Sequence, residues 1–343
     1  MTDLHATRVD TGVLDAAVGG FDAALDFNAD AAPPGALTTS RPTPKQIGWA
    51  AWLVVVALIV ARYGIPTSRP PIFIILSLAL VVASIGDPGG WRRVLHDWAP
   101  FLAILTMYDV LRGEVANLGS VHVIPQIHFD RWLFGGQVLT VRLQHLLYTP
   151  GNPHWWDYLS FFTYLSYFFA TVTIAAVLWR RDHARFQRFV FLVIVLTFAA
   201  FATYALYPAA PPWLASQSPH TLAPTAKIVD EMWTHIGLQK GASLLSATSR
   251  LANPVAAVPS LHSGYTMLIV LFFWGSVQKR WRLLLALYPL AMGFALVYMA
   301  EHYVIDVLLG WLYAAVVYFV GNLVADAWIR RRAARRLERP VIA

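Results

Sequence analysis

The sequence predicts an all-α protein, a polytopic membrane bundle of about eight spanning helices. Three observations predict it. Hydrophobic residues fill 57% of the 343 positions and charged residues only 13%, against about 25% charged in an average soluble domain. Apolar windows long enough to cross a bilayer recur along the chain, and the mean hydropathy is +0.53. Lysine and arginine gather in short segments between those windows, as the positive-inside rule requires. Cysteine is absent, which excludes disulfides, thiolate nucleophiles, iron–sulfur clusters and cysteine-ligated zinc. The net charge of +7 sits beside apolar spans, so it reads as membrane orientation and not as nucleic-acid binding.

The elements follow in order. Residues 1–46 carry Asp3, Asp10, Asp15, Asp22, Asp26 and Asp30 among Ala and Gly, then Pro33-Pro34-Gly35. With no basic start before an apolar run, this is no signal peptide; it has the composition of a disordered acidic tail. Spans are expected at 47–63, 71–85, 98–111, 156–179, 189–207, 263–277, 283–300 and 303–327. The third is the shortest and holds Asp109 near its end. Residues 328–343 form a basic tail.

Charge orients the spans. Arg180, Arg181, Arg185 and Arg188 lie between the fourth and fifth; Lys279, Arg280 and Arg282 between the sixth and seventh; Arg330, Arg331, Arg332, Arg335, Arg336 and Arg339 in the tail. All three groups belong on the cytoplasmic side of a cell membrane. Eight spans satisfy that parity and also place Arg92-Arg93 and both termini inside. Two long connections, 113–155 and 208–261, then face outward, and connections of that length usually carry function. The first holds an amphipathic stretch from Arg131-Trp132-Leu133-Phe134 to Leu147. It reads as a helix lying in the interface or packed over the bundle.

Two segments carry chemistry: Pro259-Ser260-Leu261-His262-Ser263-Gly264 at the outer mouth of the sixth span, and Glu301-His302-Tyr303-Val304-Ile305-Asp306 at the outer mouth of the eighth. The orientation uses only Lys and Arg, yet it brings both histidines to one surface. His302 and Asp306 are four apart, so a helix puts them on one face. Asp306 can then hold one ring nitrogen and free the other as a nucleophile. A carboxylate within a span is costly and normally functional. Ser260 suits the N-cap of the sixth span, whose first turn offers N–H groups to an anion, and His262 can protonate a leaving oxygen.

The two segments resemble the second and third signature motifs of the type 2 phosphatidic acid phosphatase superfamily. The variants P-S-L-H and H-Y-x-x-D are similar to the branch of inositol phosphorylceramide synthases, inositol phosphotransferases and their actinobacterial relatives. So are Tyr108-Asp109 followed by Arg112, His128-Phe129-Asp130-Arg131, and Tyr207-Pro208 with Pro211-Pro212. The resemblance spans roughly 98–327. It implies a six-helix phosphatase-type catalytic core over 98–327, with two accessory transmembrane helices in 47–97. It implies a phosphohistidine intermediate at His302, oriented by Asp306, with His262 as acid. It implies no metal and no other cofactor, although two histidines and a carboxylate are also a metal-ligand set. The implied partners are a phospholipid or polyprenyl phosphate substrate, a polyol acceptor and membrane lipids.

The sequence departs from the family at the clamp. Leu296 stands where the superfamily has an arginine six residues before the nucleophile, and Trp213 follows the Pro-Pro pair in place of a basic residue. A phosphate losing its leaving group still needs cations. Arg112, with Asp109 and Tyr108 one turn away, is the first candidate; Lys240 and Arg250 follow, then Arg131 and Lys227. Ser260 and Ser263 complete the candidate phosphate site. The leading expectation is a lipid-phosphate phosphatase or phosphotransferase working at the outer surface. The alternative is a transporter of lipid or polyprenyl phosphate without covalent chemistry, which would favour ionisable groups at the midplane; here they cluster at one surface.

Overall fold

The computed structural model describes residues 41–63, 69–115, 119–218, 220–237 and 254–337. Most of the acidic tail expected at 1–46 therefore lies outside the described residues, as do Lys240 and Arg250. The described chain forms α1 Pro44–Tyr63, α2 Arg69–Ala83, α3 Gly90–Val115, α4 Ile124–Leu133, α5 Leu139–Leu147, α6 Trp155–Arg181, α7 His183–Leu206, α8 Pro212–Ala215, α9 Ile228–His235, α10 Leu261–Phe273, α11 Lys279–Tyr298 and α12 Val304–Leu337.

Each of the eight expected spans falls on one of these helices. Among the described residues six helices are long and apolar enough to cross a bilayer, and α2 and α10 are shorter apolar helices. Two expectations need correction. The third span is not short: α3 has 26 residues and starts at Gly90, because its first turns are the polar Trp91-Arg92-Arg93, which a hydropathy window passes over. The amphipathic stretch after Arg131 is not one helix. It breaks into α4 and α5 at Gly135 and Gly136, whose φ angles of 65° and 93° glycine adopts without strain.

Packing places α10 at the centre, in contact with α6, α7, α11 and α12. It is hydrophobic on all sides and buried at Leu261, Tyr265, Leu268 and Ile269, as a core helix must be. Its closest approach is to α12. A methyl group on Gly310 would lie 2.1 Å from the Ser263 hydroxyl and 2.3 Å from the Ser260 carbonyl oxygen, so glycine lets the two backbones touch. α3 packs on α7, α2 on α3, and α1 on α2, where Trp52 donates its indole N–H to the Ile75 carbonyl at 2.9 Å. Leu58, Leu206, Leu283 and Leu323 remain exposed on the outer faces, the surface that a bilayer would cover.

The basic turns converge on one end of the bundle. Arg185 in the first turn of α7 donates to Ser276 in the α10–α11 turn at 2.9 Å, and Arg188 of α7 bonds Asn322 and Asp326 of α12 at 2.7 and 2.9 Å. Arg180 lies 3.5 Å from Asp87 in the α2–α3 turn. The two histidine segments occupy the opposite end, with α4, α5, α8 and α9 packed beside them. There α4 rests on α12, α5 on α11 and α9 on α6.

Candidate active site

The end of α11 and the start of α12 form one tightly held turn. A helix leaves its last carbonyls without partners, and α5 answers this by sending in Gln144, whose amide donates to the Tyr298 carbonyl at 2.9 Å and to Ala226 at 2.8 Å. The Tyr298 hydroxyl donates to the buried carboxylate of Asp157 at the N-terminus of α6. After Met299 the chain folds back sharply, and the N–H groups of Glu301 and His302 both donate to the Leu296 carbonyl, at 2.9 and 3.2 Å. His302 is thus presented from the turn, two residues before α12 begins, and not from the helix face that a four-residue spacing suggests.

The His302–Asp306 pairing survives this change because Asp306 works as a cap. Its Oδ2 accepts the Tyr303 N–H at 2.9 Å and lies 3.4 Å from His302 Nδ1. Asp306 is fully buried and His302 is 6% exposed. Across from them, Ser260 caps α10, accepting the Ser263 N–H at 3.3 Å, and its own N–H donates to the Asp306 carbonyl at 3.0 Å. That bond ties the two segments directly. The His262 and His302 rings stand 5.7 Å apart between centres and 60° to each other. His262 is wedged against Tyr167 at 4.0 Å and stacked on Tyr164 at 5.0 Å.

The other expected site residues divide. Arg112, in the last turn of α3, is half-buried, with its guanidinium 5.7 Å from the Tyr108 ring centre. Its charge acts on the Tyr164 and Tyr204 hydroxyls, and Tyr164 is the ring stacked on His262. Tyr108 is fully buried against Phe198 and Phe201, and Asp109 is buried beside it. Ser260 and Ser263 both sit where α10 meets α12. Ser260 is engaged as the α10 cap, and the Ser263 hydroxyl lies 3.0 Å from both the Ser260 and Val307 carbonyls. These contacts lock α10 to α12.

Two acids, one buried and one half-buried, bear on the site without an expected role. Asp130 of α4 is fully buried, and its Oδ1 accepts the Val304 N–H at 3.2 Å. This side chain therefore caps the start of α12. Burial, and next the Asp306 carboxylate nearby, push the Asp130 pKa up to about 7. Glu301 lies directly before His302. Burial raises its pKa, while Lys227 and His302 act in the opposite direction. The signal for both was present as acids inside apolar surroundings, but only the fold shows what they meet.

The arrangement is two imidazoles facing one space, one backed by a carboxylate, with a guanidinium nearby. That set suits attack on a tetrahedral anion. A family model described as the PAP2 superfamily matches residues 127–320, more than half of the chain. A curated relative, phosphoinositol dihydroceramide synthase of Bacteroides thetaiotaomicron, is 28% identical over 264 residues, covering 72% of this chain and 75% of the relative. No solved structure matches the chain significantly. With over half its length matched by the family model, this chain belongs to the PAP2 superfamily and is a membrane phosphoester hydrolase or phosphotransferase.

Proposed function

We propose that the protein transfers the phosphoryl group of a membrane lipid through a covalent intermediate on His302, at the outer surface of the cell membrane. The observation that carries this reading is the facing pair His262 and His302, 5.7 Å apart with Asp306 behind His302. Asp306 accepts from Nδ1, so the neutral ring directs its Nε2 lone pair at phosphorus. In the first step an Nε2–P bond forms, the P–O bond to the leaving group breaks, and His262 gives that oxygen its proton. In the second, a water or alcohol oxygen attacks phosphorus, His262 takes its proton, and the Nε2–P bond breaks. Arg112 balances the charge that develops on the non-bridging oxygens.

Water as acceptor makes a phosphatase, a hydroxyl a transferase. The name of the relative, with its phosphoinositol group, favours transfer with a polyol as part of the donor or as acceptor. Support for an outward-facing site comes from the basic turns at the opposite end, which the positive-inside rule assigns to the cytoplasm. The test is turnover of phosphatidic acid, phosphatidylinositol and a polyprenyl phosphate by purified protein, with and without myo-inositol, and identification of each product. Release of phosphate from the two monoester lipids, release of inositol phosphate from phosphatidylinositol, or a new phosphate ester of the added inositol is expected. An inert protein with all three lipids contradicts the reading.

A further inference from the structure

The scheme leaves one charged side chain beside the histidines without a task. Glu301 sits in the α11–α12 turn next to His302. The residue before it, Ala300, is fully buried with φ at 65°, a conformation that a residue with a Cβ keeps only where its surroundings hold it. They do: the Ala300 carbonyl accepts the Trp213 N–H from α8 at 3.1 Å. Lys227, at the start of α9, places its ammonium 4.8 Å from the Trp213 ring centre and 3.3 Å from Asp230. Its charge reaches Glu301. Glu301 also lies within electrostatic reach of Tyr164, the ring stacked on His262. One Glu301 oxygen, Oε1, is sealed from solvent without a hydrogen-bond partner among the described residues, while the residue keeps part of its surface open.

An ionised carboxylate repels phosphate, so Glu301 is not there to bind the phosphoryl oxygens. An ionised carboxylate only accepts hydrogen bonds, and its two oxygens can serve neighbouring hydroxyls. We propose that Glu301 and Lys227 form a subsite for a polyhydroxylated ring beside the phosphate site, with Glu301 accepting from ring hydroxyls and Lys227 donating to a ring oxygen. Trp213 holds Lys227 in place through its ring face. This rests on the His302 reading. The ring can arrive as the headgroup of the donor lipid or as a free acceptor, and the chemistry of recognition is the same.

The test is binding of myo-inositol 1-phosphate and glycerol 1-phosphate to the full-length protein in detergent, by titration calorimetry. The two share a phosphate monoester and differ in the ring. Wild type should bind the inositol ester roughly ten- to a hundredfold more tightly. Glu301→Gln should bring the two within about threefold, and Glu301→Asp should keep part of the preference. Equal affinities in wild type overturn the proposal whether or not a variant folds, and so does an undiminished preference in Glu301→Gln. If the His302 reading itself fails, neither ester binds; if only the subsite fails, both bind alike. Two turnover arms identify the source of the ring. A fall in phosphatidylinositol turnover relative to phosphatidic acid in Glu301→Gln marks the donor headgroup. A fall in transfer to free myo-inositol relative to water marks the acceptor, and a fall in neither overturns the subsite.

Discussion

Asp306 meets His302 with the same oxygen that caps the turn: Oδ2 accepts the Tyr303 N–H at 2.9 Å and stands 3.4 Å from His302 Nδ1. The orienting carboxylate is therefore also part of the backbone architecture that presents the nucleophile. Asp306→Asn can keep an oxygen at that position for both contacts but removes the negative charge behind the imidazole, and so weakens the chemistry more than the fold. Turnover should fall about 10²- to 10⁴-fold with little change in expression or melting temperature. Near-normal turnover in this variant would remove Asp306 from the mechanism.

Asp130 gives the protein a pH signature. Its pKa rises from 3.8 to about 7 on folding, so between those values the folded state holds the proton and the unfolded state has lost it. The stability this group contributes is complete below about pH 4 and is lost as the pH rises through about 7. Asp130→Asn keeps an acceptor for the Val304 N–H and cannot ionise. The difference in thermal midpoint between variant and wild type should move in the variant's favour between about pH 5 and pH 8. A difference that does not change with pH contradicts the assignment.

The cationic clamp is tested by substitution in parallel. Arg112→Ala should lower turnover about 10²- to 10³-fold, the loss that follows removal of one donor to developing charge. Arg112→Lys should recover only part of it, because the two-pronged guanidinium is lost. Vanadate should bind wild type more tightly than Arg112→Ala. Unchanged rates in Arg112→Ala, with a large drop for Lys227, Lys240 or Arg250 replaced by Ala, would move the clamp to the 208–261 connection.

Sidedness can be read in this cysteine-free chain with single added thiols. Ala223→Cys, exposed in the connection beside the site, should react with an impermeant maleimide added to intact cells. Gln278→Cys, exposed in the basic α10–α11 turn, should react only after the membrane is opened. The reverse pattern would turn the site to the cytoplasm.

Much of this structure is legible along the chain, and the exceptions share a cause. Spans could be read because each is a local apolar window, and the charged turns between them are equally local. His262, His302 and Asp306 stand out because polar groups in apolar surroundings need a reason. The contact of Ser263 is not legible along the chain, because its hydroxyl bonds the carbonyl of Val307, 44 residues away. Asp130 carried no role in the sequence because the N–H it caps on α12 is 174 residues distant. The break at Gly135-Gly136 was visible in the residues, yet the amphipathic pattern on either side runs through it unbroken. What the sequence conceals is therefore non-local: which helix end a buried acid caps, and which hydroxyl is already engaged.

The central claim is a covalent phosphoryl group on His302, and trapping it is the most direct measurement. Purified protein is mixed with a lipid that it turns over, quenched in alkali within milliseconds to seconds, digested, and mapped by mass spectrometry for an acid-labile adduct. The account predicts an adduct on the peptide containing His302, carrying the mass of the transferred group. In His302→Ala the adduct should be absent and turnover should fall below about a thousandth of wild type. Steady turnover by His302→Ala, or an adduct on another residue, would contradict the account.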